Sequence, residues 1–136
     1  MKTVLFVCVH NSGRSQMAEA FFNDLADGEA RAYSAGTQPA EAVDPVVVKA
    51  MSEAGLDIST KRPRALTLEM VEKADRMITM GCGADAKAVC PASFIETEDW
   101  ALDDPHGKGI EEVRKIRDEI WRRVTRLVAE MTERAG

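Results

Sequence analysis

The run Val7-Cys8-Val9-His10-Asn11-Ser12-Gly13-Arg14-Ser15 constrains this chain more than any other stretch. A continuous apolar segment, 3–9, leads into it, and Met17, Ala20, Phe21 and Leu25 recur at helical spacing after it. A chain that ends a buried strand, turns tightly and enters a helix aims its loop amides inward. That makes a nest for a tetrahedral oxyanion. Cys8 and Arg14 stand six positions apart, so a thiol and a guanidinium share the nest. Its amides and the helix N-terminus favour a thiolate. Arginine can then grip two anionic oxygens while the sulfur attacks the central atom. Gly13 is expected to supply a left-handed backbone position, with Asn11 and Ser12 as polar loop residues. Taken alone, a Cys-x5-Arg spacing fits a buried structural cysteine equally well. The flanking strand and helix, Gly13 and the polar loop tip the reading towards chemistry.

The rest of the chain alternates strand and helix patterns. A second strand is expected over 30–34, ending at Gly36, and a third over 75–80. Residues 93–95 are the candidate fourth. Asp44-Pro45 is a good helix start for 46–54, stopped at Gly55, and Thr67 caps a helix over 68–73. Residues 57–64 form a basic, proline-containing loop, and residues 100–109 a loop with Asp103, Asp104, Pro105, Gly107 and Gly109. From Ile110, the residues Val113, Ile116, Ile120, Val124, Leu127, Val128 and Met131 make one apolar stripe of a long amphipathic helix. This alternation predicts an α/β fold: a single domain, 1–136, with an open parallel four-stranded sheet flanked by helices on both faces. In such sheets ligands sit at the carboxyl ends of strands where strand order reverses. The Cys8 loop and Cys82 both follow strands, and share an edge if those strands are neighbours.

Composition narrows the function classes. With 18 Lys and Arg against 23 Asp and Glu, the net charge is −5, which argues against nucleic acid as a partner. Anion binding must therefore be local. No apolar run approaches the roughly 20 residues that span a bilayer, so no membrane association is expected. The first residues lack a signal-peptide pattern, and a cytoplasmic, reducing setting follows. Three cysteines, Cys8, Cys82 and Cys90, make no even-numbered disulfide framework. Cys82 and Cys90 are spaced too widely for a zinc pair, and only His10 and His106 could complete a set, so no metal or cofactor is expected. Glycines on both sides of Cys82 and Pro91 after Cys90 loosen that segment. As one regular helix it would hold its two thiols about 12 Å apart, whereas a disulfide needs Cα atoms within about 7 Å. Pairing would require the segment to unwind.

Cys8-Val9-His10-Asn11-Ser12-Gly13-Arg14-Ser15-Gln16-Met17-Ala18-Glu19 resembles the signature of thioredoxin-coupled arsenate reductases built on the low-molecular-weight protein tyrosine phosphatase fold. Tyr33-Ser34-Ala35-Gly36, Asp57-Ile58-Ser59, Met80-Gly81-Cys82-Gly83 and Trp100-x-x-Asp103-Asp104-Pro105 are similar to that family in the same order. Gln16-Met17 looks like the reductase branch. The resemblance implies an oxyanion held by Val9, His10, Asn11, Ser12, Gly13, Arg14 and Ser15. It implies attack by Cys8 on arsenate, with phosphate or sulfate competing, and a proton from Asp104 to the departing oxygen. Cys82 would then attack Cys8 and release arsenite, and Cys90 would attack Cys82. Thioredoxin or a related thiol reductant would recycle the relay, and a monomer is expected. The alternative is a phosphatase of the same fold acting on phosphotyrosine or small phosphoesters, which leaves Cys82 and Cys90 unexplained. A non-catalytic oxyanion or redox sensor ranks last. His10 and Gly13 depart from the usual family residues, and the Cys82–Cys90 spacing is one residue longer than the commonest pattern. Where some members hold potassium, this chain has Lys61-Arg62-Pro63-Arg64, so no potassium site is expected. Those basic residues are a solvated face, or attract oxyanions or a reductant.

Overall fold

The apolar run at the start of the chain becomes a central strand covered on both faces. In the computed structural model, which describes residues 2–80, 96–100 and 102–132, this strand is β1, Lys2–Cys8, and its residues from Val4 onward are buried. Continuous apolar, β-branched character is what a strand in a parallel sheet needs, because no face meets water. β2, Ala30–Gly36, pairs along one side of it and β3, Arg76–Thr79, along the other, with β4, Glu96–Asp99, outside β3. All three pairings are parallel. The chain therefore leaves β1 in one direction and later returns to its opposite side. That reversal puts the carboxyl end of β1, at Cys8, on the switch point of the sheet.

Among the described residues, four helices connect or flank the strands: α1, Arg14–Ala26; α2, Pro45–Glu53; α3, Leu68–Lys73; and α4, Ile110–Thr132. They lie on both faces. Phe6 sits edge-on to Phe22 of α1 at 6.3 Å between centroids, and 5.7 Å from the Trp100 ring. Leu5, the preceding residue, points the other way and lines a cleft with Met70 of α3. The stripe of α4 is buried from Val113 to Met131 as its spacing predicts, against α1 and α2. Asp44 Oδ1 accepts from the Val46 amide at 3.0 Å with Pro45 in the first turn of α2. Thr67 accepts from Met70 at 3.2 Å and caps α3.

Two expectations change. β1 ends at Cys8 rather than at residue 9, because the Val9 carbonyl is taken by the Gln38 amide of the neighbouring loop at 2.8 Å. Gly13 is not left-handed: its φ is −144°, and the left-handed residue of the loop is Asn11, at φ 52°. Asparagine tolerates that region better than most residues, and here its side chain is fixed on both amide atoms. The expected strand at 93–95 lies outside the described residues, and so does the segment from Cys82 to Cys90. β4, Glu96–Asp99, follows them in the chain. Among the described residues, no helix is long and apolar enough to cross a membrane.

Candidate active site

The loop between β1 and α1 is turned by its own carbonyls. Those of Cys8, Val9 and His10 accept from the amides of Thr37, Gln38 and Ala40 at 3.2, 2.8 and 3.0 Å. The Asn11 carbonyl accepts from Gln16 Nε2 at 3.2 Å, and that of Ser12 from the Asp44 amide at 2.9 Å. A trans peptide sets the next N–H opposite its carbonyl. Five carbonyls held outward thus turn the amides of Val9, His10, Asn11, Ser12 and Gly13 towards the centre of the loop. The Asn11 amide shows the result directly, donating to Cys8 Sγ at 3.2 Å.

Around the sulfur the side chains form a buried chain of donors. Asn11 Nδ2 donates to Ser15 Oγ at 2.7 Å, which leaves the Ser15 proton free for Cys8 Sγ at 2.8 Å. Asn11 Oδ1 accepts from the Arg64 amide at 2.8 Å and from Gln16 Nε2 at 3.0 Å. Gln16 Nε2 also reaches the Arg62 carbonyl at 3.2 Å, while its Oε1 is buried with no hydrogen-bond partner among the described residues. A sulfur facing an amide and a hydroxyl has the donors that solvate a negative charge there. Behind this cluster Glu19 is 4% exposed. Ser34 Oγ donates to it at 3.3 Å and the Lys61 ammonium lies 3.4 Å away.

The loop after β4 covers the other side. Arg14, buried at the start of α1, donates from Nη1 to the Leu102 carbonyl at 3.0 Å, and its Nη2 is 4.0 Å from Asp104 Oδ2. Asp104 Oδ1 accepts from the His106 amide at 2.9 Å, which fixes the carboxylate within a turn. The Asp104 side chain is 54% exposed against 8% for Arg14. It sits at the water-facing rim, above a guanidinium that is enclosed. Pro105 packs on Gly13. His10 Nδ1 donates to the Gln38 carbonyl at 3.0 Å, which turns the imidazole onto the outer loop.

The expected residues Cys8, Arg14, Ser15 and Asp104 and the amides of the Cys8 loop therefore converge at one end of the sheet. Cys82 and Cys90 lie outside the described residues. Reading along the sequence misses Leu102, whose contribution is a carbonyl and carries no side-chain signal. It also misses the reach of Asp44, read only as a helix cap, whose amide secures Ser12. Gly36 was visible as the glycine closing β2. Its reason is now clear, since a Cβ there would stand 2.6 Å from the Val9 carbonyl oxygen.

This architecture has close counterparts. The family model described as low molecular weight phosphotyrosine protein phosphatase matches residues 3–135. A Bacillus anthracis protein named arsenate reductase is 38% identical over 127 residues, covering 92% of this chain and 92% of its own. A solved arsenate reductase in its oxidized state is 34% identical with a TM-score of 0.83, over 96% of this chain and 99% of the other. A thioredoxin-dependent arsenate reductase of Corynebacterium glutamicum is 36% identical with a TM-score of 0.82, over 98% of this chain and 63% of the other. With a strand-end cysteine, an outward-bonded loop and an enclosed arginine at the switch point of a four-stranded parallel sheet, the chain belongs to the low molecular weight phosphotyrosine protein phosphatase family.

Proposed function

We propose that the protein is an arsenate reductase that passes its oxidising equivalents along Cys8, Cys82 and Cys90 to thioredoxin or a related thiol reductant. The observation that carries this reading is the enclosure of Cys8 Sγ by the Asn11 amide and Ser15 hydroxyl beside Arg14. It is supported by similarity, over more than nine-tenths of this chain, to proteins named arsenate reductase. Arsenate enters the loop as a tetrahedral anion, its oxygens held by the amides of residues 9–13 and by Arg14, where phosphate and sulfate compete. The Cys8 thiolate attacks arsenic, and Asp104 gives a proton to the oxygen that leaves, so a sulfur–arsenic bond replaces an arsenic–oxygen bond. Cys82 then attacks the Cys8 sulfur. The electron pair of the sulfur–arsenic bond departs with arsenic, which leaves as arsenite, and a Cys8–Cys82 disulfide remains. Attack by Cys90 on Cys82 frees Cys8 and leaves a Cys82–Cys90 disulfide for the external dithiol. Two thiols lose the two electrons that arsenic gains. The chain acts as one domain and as a cytoplasmic monomer, where a reducing environment keeps three thiols available.

Arsenate-dependent NADPH consumption with thioredoxin and thioredoxin reductase tests this. Wild type turns over, Cys82→Ser still binds arsenate but releases no arsenite, and Cys90→Ser stops after the first turnover. Strong turnover of an aryl phosphate that survives loss of Cys82, without arsenate reduction, assigns the site to phosphoester hydrolysis instead. The residues of 102–109 include no Phe, Tyr or Trp to stack on a phenyl group.

A further inference from the structure

The segment Lys61-Arg62-Pro63-Arg64 is fastened to the anion loop by its backbone, yet two of its charges have no carboxylate partner among the described residues. The Arg64 amide donates to Asn11 Oδ1 and the Arg62 carbonyl accepts from Gln16 Nε2. The Arg64 carbonyl accepts from the Gly36 amide at 2.8 Å, and Gly36 is the register partner of Cys8. These bonds fix both Cα atoms beside the loop that holds the sulfur. Lys61 is committed to Glu19. The Arg62 and Arg64 side chains are exposed, and neither has a carboxylate partner among the described residues. They splay to the two sides of the anchor, Arg62 along a cleft with Val43, Val48 and Glu41, and Arg64 along one with Tyr33 and Thr67.

Most other described arginines are used differently. On α4, Arg114, Arg117, Arg122 and Arg123 each pair with a carboxylate, Arg76 pairs with Glu98 and Glu130, and Arg31 lies over the Tyr33 ring. Exposed guanidiniums on a segment bonded through its backbone to the anion loop, on a chain of net charge −5, have a long-range task open to them. A local positive field raises the encounter rate of an anion that the molecule as a whole repels.

We propose that Arg62 and Arg64 form an electrostatic lip that draws small oxyanion dianions to the Cys8 loop, acting on capture and not on chemistry. This rests on the anion-binding reading of the loop but not on arsenate reduction, and the two fail separately in the following test. Cys8 is alkylated with anionic iodoacetate and with neutral iodoacetamide, and its modification is followed by peptide mapping. At low ionic strength, Arg62→Ser/Arg64→Ser slows the iodoacetate reaction by about three- to tenfold and leaves iodoacetamide unchanged. The phosphate concentration that protects Cys8 rises in parallel. Raising the ionic strength to about 0.5 M shortens the screening length and removes the difference, and the doubly Lys-substituted protein behaves as wild type. In turnover, arsenate KM rises with kcat unchanged. Equal slowing of both reagents, an effect that survives high salt, or a raised KM for the dithiol reductant alone with unaltered phosphate protection overturns the proposal. The last result would make the lip a docking surface for the reductant.

Discussion

Pro105 and Gly13 are in direct contact across the mouth of the site: a Cβ built on Gly13 would stand 2.7 Å from Pro105 Cγ. The loop that carries Asp104 thus rests on the backbone of the loop that carries Cys8, and glycine is required for closeness rather than for its φ. Gly13→Ala must lift Pro105, and with it Asp104 and the Leu102 carbonyl that holds Arg14. A displacement near 1 Å at a reacting group costs up to about a hundredfold in rate. We expect kcat for arsenate to fall by about ten- to a hundredfold with little change in the thermal midpoint. The double variant Gly13→Ala/Pro105→Ala should recover a large part of the loss. Additive losses in the pair would show that the contact does not set the position of the loop.

Asn11 is the point at which the loop, α1 and the basic segment are tied together. Its side chain satisfies the Arg64 amide, Gln16 and Ser15, and its backbone is left-handed. Asn11→Ala strands buried donors and places a Cβ residue in a disfavoured region without local compensation, a loss of about 2–4 kcal/mol. Asn11→Gly lacks the same hydrogen bonds but not the conformational freedom, and should be about 1 kcal/mol more stable than the alanine variant. Urea unfolding of the three proteins measures both differences. Equal stability of Gly and Ala variants would remove the backbone from the explanation.

The sequence was most legible where one local rule decided the outcome. The α4 stripe, the Asp44 and Thr67 caps and the apolar run of β1 each follow from spacing or from a single side-chain hydrogen bond, and the structure has them in place. The left-handed position was misplaced because glycine is the default for that region, whereas Asn11 is held there by bonds from residues 15, 16 and 64. Such support comes from residues up to 53 positions away and leaves no local pattern. The same applies to Leu102, 88 positions from Arg14. Motifs identify which side chains take part in a site; the bonds that aim its backbone are set by the tertiary fold.

Glu19 and Lys61 make an asymmetric pair, with the carboxylate side chain 5% exposed and the lysine side chain 38% exposed. Removing the ammonium leaves an almost fully buried carboxylate with Ser34 as its one side-chain donor among the described residues. Truncating one partner of a buried pair costs about 3–5 kcal/mol, and the part-exposed lysine places this case lower, at about 1–3 kcal/mol. Lys61→Met should lose that amount in urea unfolding at neutral pH, and Glu19→Gln/Lys61→Met should regain most of it. If the single and double variants are equally unstable, the loss comes from lysine packing and not from the orphaned charge.

Glu53 joins α2 to α4 and gives the molecule a pH-dependent brace. Arg114 holds it through both guanidinium nitrogens, Nε to Oε1 at 2.8 Å and Nη2 to Oε2 at 2.7 Å, and Arg117 Nη1 adds a contact at 3.5 Å. Hydrogen bonding and charge from Arg114, with smaller help from Arg117 and Lys49, hold the Glu53 carboxyl below its ordinary value. A carboxyl that is more acidic in the folded than in the unfolded chain binds fewer protons when folded. Its stabilisation is complete above the unfolded value and is lost as pH falls through the folded one. Glu53→Gln should therefore melt below wild type at neutral pH, and the gap should close as pH falls through and below the ordinary carboxylate range. The pair is exposed, so the gap should also narrow in high salt. Melting curves of the two proteins across that range decide the matter, and a gap that stays constant down to acid pH would assign the difference to side-chain shape instead of charge.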